Sequence, residues 1–163
     1  MADSQTYLDA LSGRLAADGC AVTIETLGTQ KITVGYKWQL KALTKLHVFT
    51  VATAPEHVNT TTVTQFVEAA VDMAKARKGL WRGAQSGVLV LPILVSPRVD
   101  PAAVAMMARA YPLNMGGFAA MAHPAIVDVS TGAVHTFRGT RIWGFAYNGL
   151  IKKKVARYVP SAA

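Results

Sequence analysis

Four histidines and one cysteine are the side chains of this chain whose ordinary titration lies nearest neutral pH, and their spacing decides what they can do together. His47, His57, His123 and His135 lack the close Cys or His spacing of a zinc site, so no metal is expected. His47, inside an apolar segment, reads as a hydrogen-bonded core residue, and His135 as a side chain on a hairpin face. Cys20 has no Lys, Arg or His within five residues, so nothing local favours its thiolate and it reads as buried packing. Ser86 stands in Gln85-Ser86-Gly87, outside the Gly-x-Ser-x-Gly elbow of a hydrolase. These residues supply no catalytic group and no cofactor site, and they favour a protein that is not an enzyme.

Two constellations point to anions instead. Glu56 and His57 follow one apolar segment, while Ser96 and Arg98 follow another. If the two segments are parallel neighbours in a sheet, all four residues meet at its carboxyl edge, where open α/β folds bind ligands. Helix starts at Asn59 to Thr62 and at Asp100 would add free backbone N–H groups for a small anion. The alternative is that Glu56, Thr62 and Asp100 only cap their helices. The segment Gly79 to Gly87 is glycine-rich but precedes a strand, and so lacks the helix start on which a phosphate-binding loop depends. Within it, Trp81 beside Arg82 suits stacking on a base, or packing of the loop onto the core.

The second constellation is the charge itself. Residues 1 to 74 carry 5 basic and 7 acidic side chains, residues 75 to 163 carry 12 basic and 2 acidic, and the whole chain has a net charge of +8. The excess gathers at Lys75, Arg77, Lys78 and Arg82, at Arg138 and Arg141, and at Lys152, Lys153, Lys154 and Arg157. A patch of one sign attracts nucleic acid, acidic proteins or anionic surfaces, and salt weakens the attraction. For the first of these clusters the alternative is that basic residues in a last helical turn complement the helix dipole.

The elements that must carry these residues follow from periodicity. A first helix is expected from about Gln5 to Asp18, capped by Asp3 or Ser4, with Tyr7, Leu8, Leu11 and Leu15 on one face and Gly19 as its stop. Cys20 to Leu27 and Lys31 to Trp38 form a hairpin around Gly28. In the second of these strands Ile32, Val34, Tyr36 and Trp38 alternate with Lys31, Thr33, Gly35 and Lys37, which predicts one buried and one wet face. Lys45 to Thr53 is a third strand, apolar on both faces. A helix with Val63, Phe66, Val67, Ala70, Val71 and Ala74 inward runs from Asn59–Thr62 to Gly79, with Thr62 and Gln65 placed for a capping box. Val88 to Val95 is a buried strand, Asp100-Pro101 starts a short helix ending near Tyr111-Pro112, and Phe118 to Met121, Ala125 to Val129 and Ala133 to Phe137 are extended. A turn at Arg138 to Thr140 leads into Arg141 to Ala146, and a last helix covers Tyr147 to Val159. On that helix Lys152, Lys153 and Arg157 are expected on the wet face, and Lys154 projects near the apolar stripe, where its stem must snorkel or the helix must sit at an edge.

The order α-β-β-β-α-β-α-β-β-β-α predicts a mixed α/β (α+β) sheet with helices on both faces, in one domain covering residues 1–163. Its first six elements, residues 5 to 95, resemble the α-β-β-β-α-β core of the restriction-endonuclease-like superfamily. That resemblance implies an acidic residue near the second strand and an acidic-x-Lys motif on the third. Here those strands read Lys31-Ile-Thr-Val-Gly-Tyr-Lys-Trp38 and Lys45-Leu-His-Val-Phe-Thr-Val-Ala-Thr53, with no Asp or Glu, so no catalytic residue carries over.

Hydrophobic residues make up 52% of the chain and charged ones 16%, which excludes intrinsic disorder, and no apolar run approaches the length of a membrane span. The low charged fraction is consistent with self-association into a homo-oligomer, although 27 alanines inflate the apolar count. A single cysteine and the absence of a signal-peptide pattern predict a cytoplasmic location. The function expected is binding of nucleic acid or another polyanion by the basic second half. The competing readings are a small-anion binder or enzyme at the sheet edge, and an accessory subunit whose role is protein–protein contact; the basic half also suits an acidic protein as partner.

Overall fold

The computed structural model describes residues 3–41, 44–78, 86–109, 120–139 and 148–162. Trp81, Arg82, Arg141, the glycine-rich loop before Ser86 and the segment from Arg141 to Ala146 lie outside them, as does the Lys78 side chain.

Four helices and seven strands appear among the described residues, in the predicted order: α1 (Ser4–Ala17), β1 (Ala21–Leu27), β2 (Gln30–Lys41), β3 (Thr44–Thr53), α2 (Thr60–Lys78), β4 (Ser86–Ser96), α3 (Pro101–Met107), β5 (Ala120–Ala122), β6 (Ala125–Asp128), β7 (Ala133–Thr136) and α4 (Asn148–Tyr158). Asp3 caps α1, accepting a 2.8 Å bond from the Thr6 amide. Asn59 caps α2 through its bond from the Thr62 amide, so Thr62 lies inside the helix and the expected capping box with Gln65 does not form. α3 closes at Met107, earlier than predicted.

One mixed sheet runs β1-β2-β3-β4-β6-β7. β1, β2 and β3 are an antiparallel meander, and the β1–β2 turn places Gly28 at φ +65°, a conformation open to glycine. β3 and β4 are parallel, as the crossover through α2 requires. β4 then pairs in parallel with β5 at Val88–Val90 and with β6 at Ile93–Ser96. β5 and β6 are thus two pieces of one line, broken at His123-Pro124. Proline lacks an N–H for the ladder, and the Pro124 carbonyl is met by the Thr136 hydroxyl at 2.9 Å.

Because side chains alternate along a strand, β4 serves two cores. Leu89, Leu91, Ile93 and Val95 pack with α1 and α4, while Val88, Val90 and Leu94 pack with α2 and α3. The helices therefore lie on both faces of the sheet. The predicted wet face of β2 is a correction: Thr33 is buried, and a Cβ on Gly35 would fall 2.9 Å from Leu15 of α1. The outer end of its other face is also corrected, since Ile32 and Val34 are buried but Trp38 is 49% exposed, under the Lys45 ammonium at 4.2 Å. Among the described residues no helix is long and apolar enough to cross a membrane.

Candidate functional site

The basic residues divide between the two helical layers. Lys75 and Arg77 belong to α2, and Lys152, Lys153, Lys154 and Arg157 to α4 on the opposite face of the sheet. The structure does not bring them to one patch. Nor are all of them free for a ligand. Arg77 forms a two-pronged ion pair with Glu25 of β1, one prong at 3.0 Å, and lowers the pKa of that carboxyl. Arg157, expected on the wet face alone, reaches back to Asp18 at 2.7 Å. Lys75, Lys152 and Lys153 are exposed and form no ion pair with the described residues.

Lys154 is buried rather than snorkelling. Its ammonium lies 2.6 Å from Asp18, at the end of α1, and 3.2 Å from the Tyr158 hydroxyl. Tyr158 in turn donates to Asp18, and the Cys20 sulfur lies 3.6 Å from the same hydroxyl. Lys37 of β2 adds a bond to the Asp18 carbonyl at 2.7 Å. Burial would raise the Asp18 pKa, but the hydrogen bonds from Lys154 and Tyr158 and the charges of Lys154 and Lys37 lower it to about 2. Burial first, and then the Asp18 carboxylate, push the Tyr158 phenol upward. This network joins α1, β2 and α4, with the Asp18 carboxylate and the Lys154 ammonium buried at its centre and Lys37 and Arg157 at its solvent edge.

The cations that do converge are Arg138 and Lys152. They line one pocket of 280 Å³ with His123, Thr136, Phe137, Val134, Val155, Ala156 and Val159, and no Asp or Glu is among its described lining residues. Three features of the chain build it. The break at Pro124 holds His123 beside β4, with its amide bonded to the Val90 carbonyl at 2.9 Å. β7 ends at Thr136 and releases Phe137 and Arg138 into the next turn. The helical period then puts Lys152 and Ala156 on the same side of α4. The Arg138 guanidinium spends one N–H on the Val134 carbonyl at 3.2 Å and keeps its remaining donors. Arg138 and Lys152 were visible in the sequence as cations. His123 and Thr136 were not, because only the interrupted strand brings them there.

β3 and β4 do place both candidate pairs at the carboxyl edge, as a parallel bridge from Val58 to Val99 confirms. Their side chains are occupied or apart. His57 binds Asp100 through Nε2 at 2.6 Å. Ser96 is fully buried, donating to the Arg98 carbonyl at 3.0 Å and accepting from its amide at 3.2 Å. Glu56 and Arg98 are exposed. An anion there would meet the Asp100 carboxylate. His47 is buried with its Nδ1 2.7 Å from the Tyr36 hydroxyl, the core role expected of it. A second cavity, 410 Å³ between α1 and the β1–β2 hairpin, is lined by one cation, Lys31, and one carboxylate, Asp9, among mostly neutral residues. No group of three or more metal-ligating side chains occurs among the described residues.

The chain matches no protein-family model, no curated protein and no solved structure.

Proposed function

We propose that the protein binds nucleic acid through the face formed by the end of β7 and α4. The observation that carries this reading is the convergence of Arg138 and Lys152, from separate elements, in a pocket with no carboxylate among its described lining residues; the exposed Lys153 follows Lys152 on α4. Phosphate oxygens are the partners such cations accept most readily on a nucleic acid. The absence of Asp and Glu from β2 and β3, where the restriction-endonuclease-like resemblance would call for them, supports binding without nuclease chemistry. The sheet-edge reading has less support, since His57 already holds a carboxylate.

Anisotropy titrations of a mixed-sequence duplex and a single strand against salt test the proposal. Each neutralised phosphate contact steepens log K against log salt by roughly 0.7 to 0.9, so the Lys152→Ala, Lys153→Ala double variant should flatten the slope by roughly 1.4 to 1.8. Arg77→Ala, on the opposite layer and engaged with Glu25, should leave the slope unchanged. No binding at about 50 mM salt, or an unaltered slope in the double variant, overturns the reading.

A further inference from the structure

We infer that the pocket between β7 and α4 takes the phosphate monoester of a nucleotide, either the phosphorylated end of a strand or a free nucleoside monophosphate. This rests on the nucleic-acid reading and narrows it to a chain end. Continuous backbone passes each phosphate on in both directions, which suits an open groove. A cavity of 280 Å³ lies just below the roughly 300–1,000 Å³ of ligand pockets, and suits one terminal group.

Charge points the same way. A monoester carries about −1.5 to −2 near pH 7, where an internal diester carries a single charge. The pocket sets Arg138 and Lys152 against it, with no opposing carboxylate among the described lining residues. The guanidinium retains donors for a two-pronged grip after its bond to Val134, and the Lys152 ammonium is engaged by none of the described residues. The Thr136 hydroxyl stands at the same wall, where its proton goes to Pro124.

The rest of the lining suits the nucleoside. Phe137, Val134, Val155 and Val159 are apolar, and bases stack on aromatic rings irrespective of sequence. The Phe137 ring is held in place by its neighbours. Its centroid is 6.4 Å from that of His123, and it occupies the space a Cβ on Gly139 would need, 2.6 Å away.

The test compares single strands of one sequence, about twelve nucleotides long, with a 5′-phosphate, a 3′-phosphate or hydroxyls at both ends. One phosphorylated form should bind the unmodified protein at least about tenfold more tightly than the hydroxyl-ended strand, as charge-assisted bonds to a dianion require. A nucleoside monophosphate should compete with it, and inorganic phosphate should compete less well. In Lys152→Gln and in Arg138→Gln, both substitutions of exposed residues, the advantage should vanish. Equal binding of all three strands by the unmodified protein overturns this inference and leaves the nucleic-acid reading standing. Binding of none overturns both. An advantage that survives both substitutions places the phosphate elsewhere and overturns the pocket, and equal competition by inorganic phosphate overturns its nucleoside part.

Discussion

Asp18 terminates α1 with its side chain only 8% exposed, and it gathers Lys154, Lys37, Arg157 and the Tyr158 hydroxyl around one carboxylate. Lys154 is as buried as Asp18, while Lys37 and Arg157 reach solvent, so the pair that depends on mutual neutralisation is Asp18 with Lys154. Removing one partner of such a pair leaves a buried charge, at a cost of about 3–5 kcal/mol. Asp18→Asn should approach that cost, because the buried Lys154 ammonium then keeps neutral acceptors but no counter-charge. Lys154→Met should cost less, since Asp18 retains Lys37 and Arg157. The pH dependence follows from the lowered pKa. With about 2 in the folded protein against 3.8 for an ordinary aspartate, the ionised Asp18 contributes stability that is fully present above pH 4 and lost as pH falls through 2. The difference corresponds to about 2 kcal/mol. Urea denaturation at pH 6 and at pH 2.5 should therefore show the gap between the wild type and Asp18→Asn narrowing in acid. A gap that stays constant would remove the linkage. None of this was legible in the sequence beyond the misfit of Lys154 in an apolar stripe, because its partner lies 136 residues away.

Among the elements, local sequence patterns specify structure where one element determines its own outcome. The apolar spacing of α2, the Asp100-Pro101 start of α3 and the glycine turn between β1 and β2 all act within a few residues. Alternation in β2 misled because it reports side-chain polarity, whereas burial depends on what lies above. Gly35 carries no side chain, and that gap is what admits Leu15 and lets α1 cover a face that reads as polar. The contact makes a specific expectation. Gly35→Ala pushes a methyl into Leu15 at 2.9 Å, overpacking that costs about 1–3 kcal/mol. Leu15→Ala is itself destabilising through the cavity it leaves, but it removes the clash. A double-mutant cycle should therefore find the pair less destabilised than the sum of the singles, with a coupling of about 0.5–3 kcal/mol. Strict additivity in thermal or chemical denaturation would mean that α1 does not rest on Gly35.

The whole molecule is a sheet between two helical layers, and its central strands belong to both. Val48 and Ala52 of β3 face α1 and α4, while Phe49 and Val51 face α2 and α3; β4 divides in the same way. That arrangement separates the two basic clusters by the thickness of the sheet, which a linear count of charge along residues 75 to 163 had no means to show. It also couples the layers mechanically, because neither core survives the loss of β3 or β4. Unfolding should then be a single transition even when the layers are weakened separately. Ile151→Val removes one buried methylene from the α4 layer and should cost about 0.5–1.5 kcal/mol. Val67→Ala removes two buried methyls from the α2 layer and should cost about 2–3 kcal/mol. The sites lie on opposite faces and share no packing neighbours among the helices, so the double variant should lose the sum to within about 0.5 kcal/mol. Far-ultraviolet circular dichroism follows the backbone and the near-ultraviolet signal follows packed aromatics. In urea the two should give coincident midpoints, with an unchanged slope, for each single variant and for the double. If the probes separate in the double variant, each helical layer unfolds on its own and the shared strands do not bind the two cores into one cooperative unit.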